Sequence, residues 1–374
     1  MISHLKKIAS VTFVVLLCQG TFVRASEAND AQKSAVESYF GAIKETFQKG
    51  LELVLESTEG VTLVAGGFSK ADLFKVKTSK GPFIVKIMKD SPKEDILTEF
   101  NAAKITGDAG VGPQLYYSDL ETKTLVLGYI DNNNSINRHA TPFHKLVAAK
   151  IRALHDAKPL ERDLLFFEIL RQDAKRLVDL ETVSPFLDES DIELYGKMAK
   201  EIEAIFEQFP EDIRSVHHDI SPHNVLYTNG EAWLIDWETA SNDYYPIDLC
   251  MFANFHIYDE SLLPTFLETY YGRKVTALER AKFDVIRPFC YAFHGFRLAF
   301  LSNLKTFPEL GDVMEYKDFQ LAIRRGEVDL GPPVSLFKLA VSTMTKSMSM
   351  LKGPEFKEGL KVLKAHLNSQ ESTL

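Results

Sequence analysis

The chain has 374 residues, of which 45% are hydrophobic and 25% are charged, so it is long enough for two lobes with separate cores. Its formal net charge is -9, and an acidic chain lacks the basic face that binding to nucleic acid requires. The sequence contains no internal repeat, coiled coil or low-complexity tract. We therefore expect an ordinary globular protein with no nucleic-acid partner.

Residues 1–25 have the organisation of a secretory signal peptide. A basic start, MISHLKK, precedes the apolar stretch IASVTFVVLLC, and the small residues Val23 and Ala25 follow at the spacing that signal peptidase prefers. A membrane span needs about 20 consecutive apolar residues, so this shorter stretch predicts no stable span. We expect cleavage near Ala25 and export of the mature chain; an uncleaved anchoring helix is the alternative.

Residues 26–58 are predicted to form a helical extension. The segment AQKSAVESYFGAIKETFQKGLELVLE favours an amphipathic helix that packs on the lobe that follows. Residues 62–76, TLVAGGFSKADLFKV, then predict two strands joined by a glycine-rich loop. Because glycine has no Cβ, the backbone amides around Gly66, Gly67 and Ser69 can approach a phosphate group closely.

A single lysine, Lys86, interrupts the apolar strand FIVKIMK. A buried ammonium group is costly unless a carboxylate compensates its charge. The helical segment EDILTEFNAAKITGDAG offers two such partners, Glu99 and, one and a half turns earlier, Glu94. The next segment, VGPQLYYSDLETKTLVLGYI, predicts two strands around a polar turn, and the second strand ends at Gly128 and Tyr129.

The most informative motif is HHDISPHN, residues 217–224, which is followed by the run VLYTNGEAWLID ending at Asp236. The run predicts a two-stranded hairpin with its turn at the Asn-Gly pair. Transfer of a phosphoryl group from ATP needs a carboxylate that orients the attacking hydroxyl, and Asp219 is the candidate for this role. It also needs oxygen ligands that hold Mg2+ against the phosphates, and Asn224 and Asp236 are the candidates. The alternative is a polar loop in which Asp219 only caps a turn.

The histidines and cysteines have simpler interpretations. His217, beside the candidate base, is expected to pack against the loop and hydrogen-bond to it rather than to transfer protons. His218 and His223 could simply be solvated. No Cys/His spacing indicates zinc, and Cys250 and Cys290 could pair or remain packed free thiols.

The part of the chain after Asn254 is predicted to be helical, because apolar residues recur at helical spacing. It is rich in aromatic residues, most of which are expected to form helix core, although some could form a box for an organic cation. Glu238 and Asp243, which follow the candidate metal carboxylate, could add negative charge for such a cation.

The pair of motifs HHDISPHN and LIDWE resembles the aminoglycoside phosphotransferase and choline kinase superfamily, which writes His-x-Asp-x-x-x-x-Asn and then a strand ending Ile-Asp-[Phe/Trp]-Glu. The resemblance implies an α+β, two-lobed protein-kinase-like fold, with a small antiparallel sheet lobe and a larger, mostly helical lobe. Residues 59–128 would form the small nucleotide-binding lobe. Residues 129–374 would form the large catalytic and substrate-binding lobe.

The same resemblance implies roles for single residues. Lys86 would reach the nucleotide phosphates while Glu99 holds it. Tyr129 would lie at the hinge between the lobes, where adenine would bond to the backbone. Asp248, in PIDLC, would brace the catalytic loop.

The implied activity is transfer of the ATP γ-phosphoryl group to a hydroxyl of a small cationic metabolite, with Mg2+ as the metal cofactor. Choline or ethanolamine is the first expected acceptor, and an aminoglycoside or a sugar is the alternative. A secreted effector protein kinase or a kinase-fold binding protein is the alternative of another class. We expect a secreted or periplasmic protein, although ATP is scarce outside the cytoplasm. Delivery into a host cell that contains ATP is the favoured explanation, and use of another phosphate donor or a segment that is not a signal peptide are the alternatives.

Overall fold

The computed structural model describes residues 30–64, 71–88, 90–132, 136–163, 166–178, 189–304 and 309–371. The predicted signal peptide and the predicted phosphate loop around Gly66, Gly67 and Ser69 lie outside these residues. Within them, the chain forms a small lobe built on an antiparallel sheet and a larger, mostly helical lobe. The predicted fold class is therefore confirmed.

The small lobe is built on a five-stranded antiparallel sheet with the strand order β1-β2-β3-β5-β4. Its elements are α1 (Asp30–Gly50), β1 (Val61–Leu63), β2 (Asp72–Thr78), β3 (Gly81–Ile87), α2 (Lys93–Asp108), β4 (Leu115–Asp119) and β5 (Thr124–Gly128). Phe74 and Val76, two residues apart on β2, are fully buried in one apolar cluster with Phe47 of α1. Helix α1 therefore covers one face of the sheet.

Helix α1 is shorter than the helix predicted from the sequence, because it ends at Gly50. A Cβ at Gly50 would lie 2.2 Å from Cδ2 of the Tyr117 ring, so only glycine fits at this close approach. The residues that follow are not helical; Leu53 and Leu55 are buried while their neighbours are exposed. The apolar residues of LELVLE thus follow the period of two that is typical of an extended segment.

The large lobe consists of helices and two short strand pairs. The helices are α3 (Thr141–His155), α4 (Phe166–Val178), α5 (Glu189–Phe206), α6 (Pro246–His256), α7 (Leu263–Tyr271), α8 (Ala277–Ser302), α9 (Tyr316–Arg324), α10 (Pro333–Leu351) and α11 (Pro354–Glu371). The strands are β6 (Ile213–Val216), β7 (Val225–Thr228), β8 (Glu231–Leu234) and β9 (Ser241–Tyr244), with β6 paired to β9 and β7 to β8. The predicted hairpin is confirmed: Asn229 and Gly230 have φ values of 51° and 84°, as a type I′ turn requires.

Helix α8 is the centre of the large lobe, with α6, α10 and α11 packed around it. Its first turn is closed by a capping box between Thr276 and Glu279. Cys250 and Cys290, on α6 and α8, are both buried free thiols in the structure, as the second of the two alternatives predicts. Among the described residues, no helix combines the length and the apolar composition that crossing a bilayer requires.

The corner between α2 and β4 joins the small lobe to the large lobe. The amide of Leu234 in β8 donates to the carbonyl oxygen of Val111, 3.0 Å away. Gly112 lies against the indole of Trp237, where a Cβ at Gly112 would be 3.0 Å from Nε1. Since Trp237 directly follows Asp236, this contact lies one residue from the candidate metal carboxylate.

Candidate active site

Asp219 and Asn224 lie in the loop between β6 and β7, and their mutual hydrogen bonds fix the carboxylate. The Asn224 side-chain amide donates to Asp219 Oδ2 at 2.8 Å and to the Asp219 carbonyl oxygen at 3.0 Å. The other carboxylate oxygen, Oδ1, is buried and has no hydrogen-bond partner among the described residues. Burial, and then the charge of Asp236, raise the pKa of Asp219 to about 8. A hydroxyl group would satisfy this oxygen.

The ring of His217 connects the candidate base to the strand that leads to the candidate metal carboxylate. Its Nδ1 accepts a hydrogen bond from the Asp219 amide at 3.3 Å, and its Nε2 donates to the carbonyl oxygen of Ile235 at 2.9 Å. A neutral imidazole satisfies both contacts. Burial lowers the pKa of His217, which also favours the neutral ring. His217 therefore holds the loop in place and is not arranged for proton transfer.

The carboxylate of Asp248 holds the backbone of the same loop. It accepts hydrogen bonds from the His217 amide at 2.8 Å, from the His218 amide at 2.9 Å and from His155 Nε2 at 3.1 Å. Burial alone would raise the pKa of Asp248, but the hydrogen bond from His155 and the charges of the nearby imidazoles lower it. Asp248 thus lies where a residue that braces the catalytic loop must lie.

Lys86 connects the two lobes through carboxylates on both sides. Its Nζ lies 2.5 Å from Glu99 Oε1 on α2 and 3.1 Å from Asp236 Oδ1 in the large lobe. Of the two predicted partners, the structure places Glu99 beside Lys86, whereas Glu94 is exposed. Burial alone would lower the pKa of Lys86, but the charges of Asp236 and Glu99 raise it. Lys86 is therefore a buried cation.

Three carboxyl groups lie close together around Lys86 and the loop. Asp236 has a left-handed φ of 68°, and its charge acts on both Asp219 and Glu238. Burial, and then the charge of Asp236, raise the pKa of Glu238 to about 8. A divalent cation bound at Asp236 would favour the ionised forms of Asp219 and Glu238, because its positive charge would offset the repulsion between the carboxylates.

The donor set suits magnesium better than a softer metal. Asp236 and Asn224 supply hard oxygen atoms, which Mg2+ prefers, and Mg2+ completes its shell with phosphate oxygens and water. Within the part of the chain that the structure describes, no three His, Cys, Asp or Glu side chains cluster as a protein-only metal site. A cation held by two protein oxygens and a nucleotide is compatible with this arrangement.

Tyr129 directly follows β5, where the hinge is predicted. The ammonium of Lys75 lies 3.7 Å from the centre of the Tyr129 ring, and the Tyr129 hydroxyl donates to Asp131 Oδ1 at 3.3 Å. These contacts occupy the side chain, so a role of Tyr129 in binding adenine would depend on its backbone and stays a prediction. The predicted roles of Gly66, Gly67 and Ser69 also stay predictions.

His218 and Asp243 form a contact that the sequence did not reveal. His218 is 1% exposed rather than solvated, and its Nε2 lies 3.2 Å from Asp243 Oδ2. The same oxygen accepts a hydrogen bond from the Phe166 amide at 3.0 Å. Asp243 is thus buried and engaged, and the expectation that it adds charge for a bound cation is wrong.

Arg138 is a second residue that sequence analysis missed. Its Nη1 donates to the carbonyl oxygens of Pro222 and Val225, at 2.9 and 2.8 Å, and its Nη2 donates to Asn132 Oδ1 at 3.1 Å. These bonds attach the segment after the hinge to the end of the catalytic loop. Because the loop contributes backbone carbonyls, no side-chain pattern could have indicated this partner.

The aromatic residues proposed for a cation box are mostly core. The buried members are Phe252, Phe255, Tyr270, Phe289, Tyr291, Phe293 and Phe296. The partly exposed members each have an arginine over the ring: Arg324 over Tyr258, Arg273 over Tyr271 and Arg176 over Phe300. The interpretation of these aromatics as helix core is therefore the better one.

Comparison with known proteins agrees with the geometry. The model of the phosphotransferase enzyme family matches residues 60–283, which is more than half of the chain. Together with the similar solved structures, this match confirms the resemblance that the motifs indicate. No curated protein sequence matches the chain.

Three solved structures illustrate the similarity. A choline/ethanolamine kinase family protein from Mesorhizobium loti has a TM-score of 0.61 at 15% identity, over 87% of this chain and 99% of that chain. The Plasmodium vivax ethanolamine kinase has a TM-score of 0.54 at 16% identity, over 86% and 90%. The AMP complex of LicA, the choline kinase from Streptococcus pneumoniae, has a TM-score of 0.52 at 18% identity, over 86% and 100%. At these identities the likeness shows the fold.

Proposed function

This chain belongs to the phosphotransferase enzyme family, and from that premise we propose that it transfers the γ-phosphoryl group of ATP to a hydroxyl group of a small molecule. The observation that carries the proposal is the Asp219 carboxylate, of which one oxygen is held by Asn224 and the other is buried without a donor. Such an oxygen can accept the proton of an attacking hydroxyl.

Each residue of the site has a part in this reaction. Asp219 Oδ1 orients the acceptor hydroxyl and takes its proton as the new O–P bond forms, while the bond between the γ-phosphorus and the bridging oxygen breaks and ADP leaves. Lys86, held by Glu99, pairs with phosphate oxygens of the nucleotide. Mg2+, when bound, neutralises phosphate charge, and Asn224 and Asp236 are the residues that would hold it. A nucleotide cofactor agrees with the AMP that the similar LicA structure contains.

For the acceptor, we propose a small cationic amino alcohol of the choline or ethanolamine type. The electrostatic support is Glu238, a carboxyl group close enough to Asp219 for their charges to interact. A cation bound beside this carboxyl group would favour its ionised form, which attracts the cation without needing an aromatic box. All three of the similar structures described above are also named as choline or ethanolamine kinases. The aromatic residues of the large lobe add no support, because most of them are core.

An aminoglycoside or a sugar is the second candidate. It belongs to the same reaction class, because the Asp219 carboxylate would orient a sugar hydroxyl in the same way. A regulated protein kinase is less consistent with the structure, because only residues 237–245 separate Asp236 from α6.

A transfer assay with radiolabelled ATP tests the proposal. Choline and its neutral isostere 3,3-dimethylbutanol form the decisive pair, with ethanolamine, an aminoglycoside and a protein extract as further acceptors. We expect phosphorylation of choline or ethanolamine well above that of the neutral isostere, and none with Asp219→Asn. Equal transfer to both members of the pair would exclude the cationic acceptor. Transfer to protein alone would exclude a small-molecule kinase.

We further propose that residues 1–25 direct export and that the mature protein works where ATP is present, such as the cytosol of a host cell. The support is the order of basic, apolar and small residues at the N-terminus. N-terminal sequencing of protein recovered outside the producing cells should begin near residue 26. Recovery of the chain only in the cytoplasm with Met1 intact would refute export.

A further inference from the structure

His218 and Asp243 form a buried contact that the reaction described above does not use. His218 has a left-handed φ of 66°, which a residue with a bulky side chain adopts only when its surroundings enforce it. Its amide donates to Asp248 Oδ1 at 2.9 Å, and its ring lies parallel to the Phe166 ring, with an angle of 6° between the planes. The backbone and the ring of His218 are thus both fixed.

Both ring nitrogens of His218 face hydrogen-bond acceptors. Nε2 lies 3.2 Å from Asp243 Oδ2, and Nδ1 lies 3.1 Å from the carbonyl oxygen of Thr239. The hydroxyl of Ser241 also lies 3.4 Å from Nδ1. With its N–H on Nε2 the ring donates to Asp243, and with its N–H on Nδ1 it donates to Thr239.

The partners of His218 belong to the segment that follows the candidate metal carboxylate. His218 directly precedes Asp219, whereas Thr239 and Asp243 lie three and seven residues beyond Asp236. The hydroxyl of Thr239 also donates to the carbonyl oxygen of His217 at 2.6 Å. Several hydrogen bonds therefore join the loop that carries the base to the segment that begins with the metal carboxylate.

We propose that His218 is a positioning residue for phosphoryl transfer. Through its hydrogen bonds to Thr239 and Asp243, it fixes the position of Asp219 relative to Asp236. This inference rests on the proposed function. Phosphoryl transfer depends on the distance and alignment of the reacting groups, and a displacement of about 1 Å can reduce the rate about 100-fold. Nucleotide binding depends on other residues, so the loss of His218 should affect turnover far more than nucleotide affinity.

Four variants separate the parts of this contact. His218→Phe retains a ring that can stack on Phe166 but removes both N–H donors. His218→Asn retains a donor near the position of Nδ1, toward Thr239, and His218→Gln retains a donor near the position of Nε2, toward Asp243. Asp243→Asn keeps the shape of the acceptor and removes its charge. The matched control is His144→Phe, because His144 is also buried in the large lobe and neither of its ring nitrogens makes a hydrogen bond within the described residues.

The measurements are the kcat and KM for Mg-ATP, with the best acceptor or with water as acceptor, and the affinity for Mg-AMPPNP by calorimetry. We expect His218→Phe to lower kcat about 100-fold, with affinity for Mg-AMPPNP within about twofold of wild type. His218→Gln should recover more activity than His218→Asn, since it preserves the contact with the charged partner. The double variant His218→Phe/Asp243→Asn should be no slower than His218→Phe, because residues that act as a unit are not additive.

Two results would overturn the proposal. One is a kcat of His218→Phe within about twofold of wild type, and the other is an equal loss in the His144→Phe control. If wild type binds no Mg-AMPPNP and transfers no phosphate, the proposed function fails and the positioning role fails with it. A wild type that works normally together with an unaffected His218→Phe variant removes only the positioning role.

Discussion

Lys86 and Glu99 form a buried ion pair between the sheet and the helix of the small lobe. Their side chains are 6% and 4% exposed, and Nζ lies 2.5 Å from Oε1. An ammonium group at this depth is stable only because carboxylates surround it. The pair therefore holds a cation where the triphosphate of a nucleotide would lie in a kinase-like cleft.

Glu99→Gln should impair both stability and nucleotide use. Removing one partner of a buried pair costs about 3–5 kcal/mol, and we expect a value near the lower limit because Asp236 still contacts Lys86. The KM for Mg-ATP should rise, since Lys86 is no longer held. Denaturant unfolding and steady-state kinetics measure these effects. Glu94→Gln, on the exposed part of the same helix, is the control; similar losses in both variants would contradict the role assigned to Glu99.

Asp219→Asn should reduce kcat by about 10²–10⁴-fold while leaving the KM for Mg-ATP nearly unchanged. The amide cannot take the hydroxyl proton, although it can keep the hydrogen bond with Asn224. Steady-state kinetics and calorimetry with Mg-AMPPNP check the two halves of this prediction. Turnover near the wild-type rate would show that another group is the base.

The same variant should be more stable than wild type when nucleotide and Mg2+ are absent. The pKa of Asp219 is raised to about 8 in the folded protein, so near neutral pH the unfolded chain loses this proton more readily than the folded chain does. Ionisation at neutral pH therefore opposes folding, and an amide avoids this cost. We expect a gain of about 1 kcal/mol or more in the free energy of unfolding at pH 7. A loss of stability would show that the carboxylate is satisfied in the folded state.

Asp236→Ala should abolish activity and weaken the binding of Mg-AMPPNP much more than the binding of metal-free AMPPNP. The carboxylate supplies a hard oxygen ligand, which Mg2+ requires and which a free nucleotide does not. Calorimetry with and without Mg2+ separates the two affinities. Asp259→Ala, at an exposed turn, is a matched control. Equal affinities of wild type and Asp236→Ala for Mg-AMPPNP would make Asp236 a structural residue.

His294→Phe should make the protein less sensitive to acid. Burial, and then the charge of Arg297, lower the pKa of His294 to about 3. Below about pH 6.5 the unfolded chain therefore binds a proton that the folded chain does not, and stability falls as the pH is lowered toward 3. This one group accounts for about 1.4 kcal/mol per pH unit in that range. Unfolding free energies measured at pH 7 and pH 5 should show a shallower dependence in the variant; an unchanged slope would show that His294 already carries its proton.

The sequence predicted most of the secondary structure that positions the site. The hairpin after the catalytic loop was readable because an Asn-Gly pair separates two apolar runs, and such a pair favours a type I′ turn. A carboxylate partner for Lys86 could be predicted because a charge inside an apolar strand must be compensated. The sequence could not show whether Glu94 or Glu99 pairs with Lys86, because this depends on how α2 is rotated against β3. The end of α1 was missed because the apolar residues of LELVLE were assigned to the helix, whereas Leu53 and Leu55 are buried from a segment that is not helical.

The remaining errors concern tertiary contacts. His218 looked solvent-exposed because its partners, Thr239 and Asp243, lie more than 20 residues away in sequence. Asp243 looked available to a substrate because a list of charges does not show which of them are already paired. The role of Arg138 could not be predicted from the sequence, because it donates to backbone carbonyl oxygens, which every residue has. Local patterns therefore defined the elements and the catalytic motif, whereas packing alone defined the residues that hold the motif in place.

The contact between Gly112 and Trp237 makes the cleft between the lobes sensitive to substitution of Gly112. Thr106 Oγ1 and Trp237 Nε1 would each lie 3.0 Å from a Cβ at Gly112, so even one methyl group would act as a wedge. The added methyl group would press on the indole of Trp237, which directly follows Asp236. The spacing of the catalytic groups therefore depends on this contact between the lobes. A substitution at Gly112 can lower activity although every catalytic side chain is unchanged.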